Sequence, residues 1–294
     1  MEINENYDEA ERYYKKSADK GHVKSQYRLA YLYDEKNFNE DAIEYYLKAI
    51  DSNYTMAKFR LGNLYNRQNT IESAKLYYDL ACNDSMVEAK NNFAGLYFEE
   101  KNYEKAIKYY EEAIVDGCKV ALENLGDLYY QTKDYQKAIS YYLRNSTSVS
   151  CQKKLADIYM EAENTDEAII WYKKASNNED IESSYKLGLI YEDLNNLEDA
   201  KKYYLLAAKK NHLNSKLHLG RIYYNEGNYE ESKKILDVCA NENNAYAQHM
   251  VALIYENYYS DHTNAKYWYE KSKNQGLVES IFNLGQISLK LEED

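Results

Sequence analysis

Small and bulky apolar residues recur along this chain at a spacing that suits a helix and not a strand. A small residue followed three and four places later by two bulky ones starts at Ala10, Ala42, Ala74, Ala106, Ala138, Ala168, Ala200, Ser232 and Ala265. Successive starts lie 32, 32, 32, 32, 30, 32, 32 and 33 residues apart. A second pattern, L-[GA]-x-[LI]-Y, keeps step with the first: LAYLY at 29–33, LGNLY at 61–65, LGDLY at 125–129, LADIY at 155–159 and LGRIY at 219–223. FAGLY, LGLIY and VALIY fill the other places, and LGQIS at 284–288 ends the series.

Each unit therefore predicts two short helices. Helix A carries L-[GA]-x-[LI]-Y, and helix B carries A-x-x-Y-Y-x-x-A. At 100° per residue, positions 0, +3, +4 and +7 of helix B fall within about 100° of one another, a single apolar stripe. In AIKYYEEA, Ala106–Ala113, both Tyr109 and Tyr110 lie on that stripe. They are expected to be packing residues whose hydroxyls reach the wet edge of the core. Sequence order puts an unpaired helix B first and an unpaired helix A, from Val278 to about Lys290, last.

The one interval of 30 falls in YYLRNSTSVSC, Tyr141–Cys151, where Asn145 takes the second alanine slot and two turn residues are missing. Helix B should end early there, with Ser146, Thr147 or Ser148 capping the next helix. We read residues 1–294 as a single repeat domain with a local break near 143–151.

The stretch YYKKSADKGHVKSQYRLAYLY, Tyr13–Tyr33, resembles a Sel-one-like repeat, a relative of the tetratricopeptide repeat. Its short B-to-A turn, KSADKGHVKS, matches that family's K-A-A-x-x-G-x-x-x-A. The A-to-B turn YDEKNFNEDA resembles the tetratricopeptide form instead, without that form's usual proline. The resemblance covers nearly the whole chain. It implies an all-α fold, an α-solenoid (right-handed superhelix) of about nine 32-residue helix-turn-helix repeats whose A helices line a concave groove. The paired cysteines of the secreted Sel-one-like branch are missing, so nothing known of that branch carries over.

Composition agrees with helices joined by short turns: among 294 residues there are no prolines and 36 tyrosines. A proline inside a helix costs about 3 kcal/mol. The net charge of −12 disfavours a nucleic-acid partner, whose phosphates must be neutralised. An RNA-binding helical repeat is weighed and set aside on that ground. No apolar run approaches the roughly 20 residues that span a bilayer, so no membrane partner is expected. The opening MEINENYDEAERYYKKS has no apolar core of a signal peptide, and the four cysteines show no paired spacing, so the protein reads as cytoplasmic.

Little is left over for chemistry. Neither G-x-x-x-x-G-K-[ST] nor G-x-G-x-x-G occurs, and the glycines fall in repeat slots or turns. Cys151, Cys239 and Cys82 fill apolar slots, while Cys118 follows Gly117 in a turn. His22, His212, His218, His249 and His262 form no metal-binding pattern. The chain reads as non-enzymatic, with no cofactor, no metal and no catalytic residue.

A partner is expected instead on the helix A positions that the core leaves unused. Five residues before the tyrosine of L-[GA]-x-[LI]-Y stand Arg28, Arg60, Asn92, Asn124, Lys154, Lys186, His218, Met250 and Asn283. None is acidic, although 49 residues of the chain are. A line of donors, one per repeat, suits backbone carbonyls or acidic side chains of an extended peptide. One residue earlier stand Tyr27, Phe59, Tyr185, Leu217 and Phe282, and Tyr31 and Asn63 complete an N-terminal cluster with Tyr27, Arg28, Phe59 and Arg60. Aromatics flanking arginines are common in binding hot spots. The reading is a protein–protein interaction scaffold or adaptor that binds a protein or peptide of acidic or extended character. The alternative is a regulatory or toxin-neutralising protein that sequesters one folded partner. Self-association through the unpaired end helices is open to either.

Overall fold

A computed structural model describes residues 2–293, with side chains from 7 to 289. Packing divides the chain into two compact units, residues 1–145 and 146–294. The first holds α1 (Glu2–Ala18), α2 (Val23–Glu35), α3 (Asn39–Asp51), α4 (Thr55–Arg67), α5 (Ile71–Asn83), α6 (Val87–Glu99), α7 (Tyr103–Val115), α8 (Lys119–Gln131) and α9 (Tyr135–Arg144). The second holds α10 (Val149–Glu161), α11 (Thr165–Asn177), α12 (Ile181–Asp193), α13 (Leu197–Lys209), α14 (Leu213–Asn225), α15 (Tyr229–Asn241), α16 (Ala245–Asn257), α17 (His262–Lys273) and α18 (Val278–Glu293). Even-numbered helices are A-type and odd-numbered ones B-type. The first unit is thus a lone helix B followed by four A/B pairs, and the second is four A/B pairs followed by a lone helix A. No strand occurs among the described residues.

The repeated small and leucine positions are the core. Leu29, Leu61, Leu125, Leu155, Leu187 and Leu219 are fully buried, as are Ala42, Ala74, Ala106, Ala138, Ala168 and Ala200. The two bulky residues of helix B take different places. The first is partly buried in most repeats and stacks on the tyrosine that ends the helix A pattern: Tyr77 on Tyr65, Tyr109 on Tyr97, Tyr141 on Tyr129 and Tyr203 on Tyr191, with ring centroids 5.6–5.7 Å apart. The second, Tyr46, Tyr78, Tyr110, Tyr142, Tyr172, Tyr204 or Tyr269, is buried completely or nearly so.

That second tyrosine lies against the [GA] slot of its own helix A. A Cβ placed on Gly188 would stand 2.4 Å from ring carbons of Tyr204, and one on Gly126 would meet Tyr142 equally closely. Where the bulky residue is Leu236, Gly220 receives it in the same way.

Turns follow one plan. Sixteen of the seventeen hold a residue in the left-handed region at the helix C-terminus, such as Asn37 (φ 60°), Lys133 (φ 64°), Glu163 (φ 58°) and Gly117 (φ 92°). After α2, Lys36 N–H donates to the Leu32 carbonyl and Phe38 N–H to that of Tyr33, which closes the helix end. The turn at 145–148 has no left-handed residue, and α9 is 10 residues long where its B-type counterparts in the middle of the chain have 13. Ser148 caps α10 by accepting from Cys151 N–H, and buried Asn145 donates from Nδ2 to the Lys119 carbonyl at 3.3 Å. The shortened repeat is therefore built as its sequence implies, with an amide bonded to backbone where an alanine would pack.

Opposite outcomes are expected for alanine at two glycines. Gly188→Ala must move the Tyr204 ring and should cost about 1–3 kcal/mol. Gly95→Ala places its Cβ 3.7 Å from the Tyr110 hydroxyl, an ordinary contact, and should stabilise by about 0.5–1 kcal/mol through helix propensity. Urea unfolding of the two variants checks this.

Candidate functional site

The helix A face is organised by where the buried tyrosine hydroxyls go. A phenol placed in a core needs an acceptor. Tyr46 donates to Asp34 (3.3 Å), Tyr78 to Asn63 (2.7 Å), Tyr142 to Asp127 (2.6 Å), Tyr204 to Glu192 (2.7 Å) and Tyr269 to Glu256 (2.9 Å), and Tyr172 makes a short bond to Asp157. These acceptors stand at one of two positions, the x of L-[GA]-x-[LI]-Y or the residue just after its tyrosine. The two are three apart and so share a face. Burial drives the phenols of Tyr46, Tyr78, Tyr172, Tyr204 and Tyr269 upward in pKa; Tyr78 is pushed to about 12.

The same acceptors receive donors from the following helix A. Asn92 Nδ2 donates to Asn63 Oδ1 at 2.9 Å, and Lys186 Nζ to Asp157 Oδ1 at 2.7 Å. Arg221 pairs with Glu192, and Arg67 pairs with Asp34. His218 Nδ1 lies 3.1 Å from Glu192 Oε2, and its ring stacks on Tyr204 with centroids 5.0 Å apart. Burial alone would raise the Glu192 carboxyl. The Tyr204 hydrogen bond, Arg221 and His218 outweigh it, so the group ends below its ordinary value.

The expected donor line is therefore largely engaged inside the protein, repeat to repeat. In the second unit Lys186 and His218 serve Asp157 and Glu192, and Lys154 is engaged as well. Tyr185 packs against His212 (4.7 Å), His218 (5.8 Å) and Tyr204 (6.1 Å). The acidic partners Asp34, Asp157 and Glu192 were not among the candidate residues. Their signal is an acceptor at either of two positions three apart, present in six of the repeats, which no single motif column displays.

In the first unit the donors are less spent. Arg28 is exposed and lines a cavity of about 570 Å³ with Tyr14, Tyr31, Leu32 and Glu35. Arg60 lies over the Tyr31 ring, 4.9 Å from its centroid, and its buried Nε has no hydrogen-bond partner. Tyr31 is held above its ordinary pKa first by its hydrogen bond to Glu35. Phe59 is half-buried against Tyr78. Tyr27 lies with its ring centroid 6.5 Å from that of Tyr31, but it is 9% exposed and turned into the core against Tyr46 and Tyr54, so its ring is spent on packing. Further along, Asn124 donates to Asn91 (2.9 Å), Asn91 to Asn92 (3.3 Å) and Asn92 to Asn63. Asn66, Asn91, Asn92, Glu99 and Asn124 line a depression of about 240 Å³ over Gly95.

Nucleophile chemistry has little support here. Burial pushes the Cys82 thiol up to about 12 and raises that of Cys239. Neither is a thiolate near neutral pH. No group of three His, Cys, Asp or Glu side chains suited to a metal ion is present among the described residues. No described helix is long and apolar enough to cross a membrane.

Comparison with known proteins gives two kinds of match. Models of the tetratricopeptide repeat match residues 4–54, 27–92 and 96–145, and again 154–177, 181–209 and 213–243. A Sel1 repeat model matches 245–277. Among solved structures, c5321, a protective antigen present in uropathogenic Escherichia coli strains and displaying an SLR fold, superposes with a TM-score of 0.67 at 20% identity, over 96% of this chain and 68% of its own. A Sel1 repeat protein from Oxalobacter formigenes gives 0.63 at 18% identity, covering 94% and 90%. The C-terminal part of a tetratricopeptide-repeat-containing protein from Cytophaga hutchinsonii gives 0.57 at 17%, covering 77% and 99%. At such identities the likeness is one of fold. No curated protein matches the chain in sequence.

The Glu192 cluster predicts a pH-dependent stability. Because the folded-state pKa is lowered, its contribution is full above the ordinary glutamate value of about 4.3 and is lost as pH falls through the folded value. Glu192→Gln should cost about 1–3 kcal/mol at pH near 7, with the gap to the unsubstituted protein closing at pH near 3. Urea unfolding at both pH values measures it; a gap that does not change with pH would exclude the carboxylate as its source.

Proposed function

Because this chain belongs to the tetratricopeptide-repeat family, with a Sel1 repeat over residues 245–277, we propose that it is a non-enzymatic scaffold holding an extended, acidic segment of a partner protein on the helix A face of its first unit. Repeats of this family are typical protein–protein interaction scaffolds. The observation that supports the finer reading is the difference in donor commitment. Lys186, His218 and Arg221 are neutralised by Asp157 and Glu192, whereas Arg28 is exposed beside a cavity and Arg60 has a buried Nε without a partner.

The working residues in this reading are Arg28, Tyr31, Phe59 and Arg60 for a carboxylate or aromatic anchor, followed by Asn63, Asn92 and Asn124 for the peptide backbone. Tyr27 supports them from the core. Lys154, Tyr185, Lys186 and His218 serve chiefly to join repeats. Cys82, Cys118, Cys151 and Cys239 carry no disulfide, which suits a reducing compartment, and we place the protein in the cytoplasm on that ground.

A peptide-display selection against the purified protein, compared with Arg28→Glu/Arg60→Glu, tests the proposal. Acidic linear peptides should be enriched, with affinity at least about tenfold weaker for the double variant, equivalent to about 1.4 kcal/mol. Equal binding by both proteins would move the site off this face. Failure to enrich any linear peptide would favour sequestration of one folded partner.

A further inference from the structure

Within the chain, four second tyrosines of helix B, Tyr46, Tyr78, Tyr204 and Tyr269, each meet three features of their own helix A. The tyrosine fills the [GA] slot, its hydroxyl reaches an acceptor, and its ring lies about 6 Å from the aromatic residue six places before the pattern's end. That last spacing is 6.1 Å for Tyr27–Tyr46, 6.2 Å for Phe59–Tyr78, 6.1 Å for Tyr185–Tyr204 and 5.5 Å for His249–Tyr269. Helix α18 carries all three features without a tyrosine. Nothing lies within 4 Å of a Cβ placed on Gly285, whereas Gly62, Gly126, Gly188 and Gly220 are buried against their partners. Phe282, in the ring position, is 65% exposed. Gln286, in the position of the acceptor Asn63, is exposed as well.

Helix α1 carries the reverse. Its A-x-x-Y-Y pattern puts Tyr14 in the second-tyrosine position, and Tyr14 lines the cavity of about 570 Å³ beside Arg28 and Tyr31 with no helix A over it among the described residues. In the interior repeats, that place beside helix B and the next helix A is where the repeat's own helix A lies. Arg28 is the equivalent of Asn92 and Lys186, which donate back to the acceptor of the preceding helix A. His22 is the equivalent of His212, which packs on Tyr185.

We infer that the protein associates head to tail with a second copy of itself, α18 of one copy filling the cavity beside α1 and α2 of the next. Tyr14 then fills the Gly285 slot, its hydroxyl and Arg28 meet the Gln286 side-chain carbonyl, and Phe282 packs on Tyr14 and His22. The junction is a continuation of the interface that already repeats along the chain. Being heterologous, it can add further copies.

The test is sedimentation velocity of the full chain from about 1 µM to about 1 mM, with Gly285→Trp and Tyr14→Ala. Gly285→Trp fills a slot that is empty in the single chain, and circular dichroism verifies that both variants keep their helix content. The unsubstituted protein should show mass increasing with concentration, each variant alone should stay monomeric, and an equimolar mixture of the two variants should form a 1:1 dimer that grows no further. Each variant then contributes its one intact face. A monomer at every concentration, or association that survives Gly285→Trp, overturns the proposal. Association abolished by Gly285→Trp and untouched by Tyr14→Ala also overturns it, since α18 would then pair with something other than α1.

Discussion

Everything in this structure depends on bringing a phenol close to a helix backbone and then finding its hydroxyl an acceptor. The second tyrosine of each helix B lies on a small residue of helix A, near enough at Gly62, Gly126 and Gly188 that a side chain there would strike the ring. Burying a ring of that size contributes on the order of 1.5–3 kcal/mol, but an unsatisfied hydroxyl would cost about 1–3 kcal/mol and cancel most of it. The acceptor is thus part of the packing.

The exceptions follow this constraint. Where the x of the pattern is Asn63, Asp127 or Asp157, the residue after the tyrosine is Asn66, Tyr130 or Met160; where x is Tyr31, Leu189 or Leu253, that residue is Asp34, Glu192 or Glu256. The acceptor moves by three residues and stays on its face. In LGRIY the two positions hold Arg221 and Tyr224, neither a carboxylate nor an amide, and helix B there carries Leu236 in place of tyrosine. Where no carboxylate or amide stands at either position, the phenol is replaced by a hydrocarbon. Tyr110, opposite Gly95 and Phe98, is the one buried second tyrosine whose local partner is not explained by this rule.

The helix pairs, the small-residue slot and the shortened repeat with its Ser148 cap were legible in the sequence because each rests on residues at most a few turns apart. Burial of Tyr110 was legible for the same reason. What was not legible lies about 29 residues away: that Asn63 accepts from Asn92, or Asp157 from Lys186, depends on how one repeat registers on the next. A column of donors looked free when its acceptors sat in two different columns. Tyr27 and Arg28 show the same limit on a smaller scale. They are neighbours on one helix, yet one ring is turned into the core against Tyr46 and Tyr54 and the other side chain is exposed. The left-handed turn residues were hidden too, because Lys133 and Glu163 occupy positions for which glycine or asparagine is the usual sign.

These commitments bear on where a ligand can bind. A carboxylate arriving at Arg221 or His218 competes with Glu192, which already accepts from Tyr204 and is shielded enough for its pairing to outweigh its burial. Displacing it would leave a partly buried carboxylate with the Tyr204 hydroxyl as its remaining donor, at a cost of about 1–3 kcal/mol. At Arg28 the competitor is water, and at Arg60 the guanidinium rests on an aromatic face with one N–H still unpartnered. An incoming anion there gains a charged hydrogen bond without breaking an internal one. Along the donor column, Asn92, Asn124, Lys186 and His218 are bonded to side chains of the preceding helix A, whereas Arg60 rests on the Tyr31 ring and Arg28 is exposed.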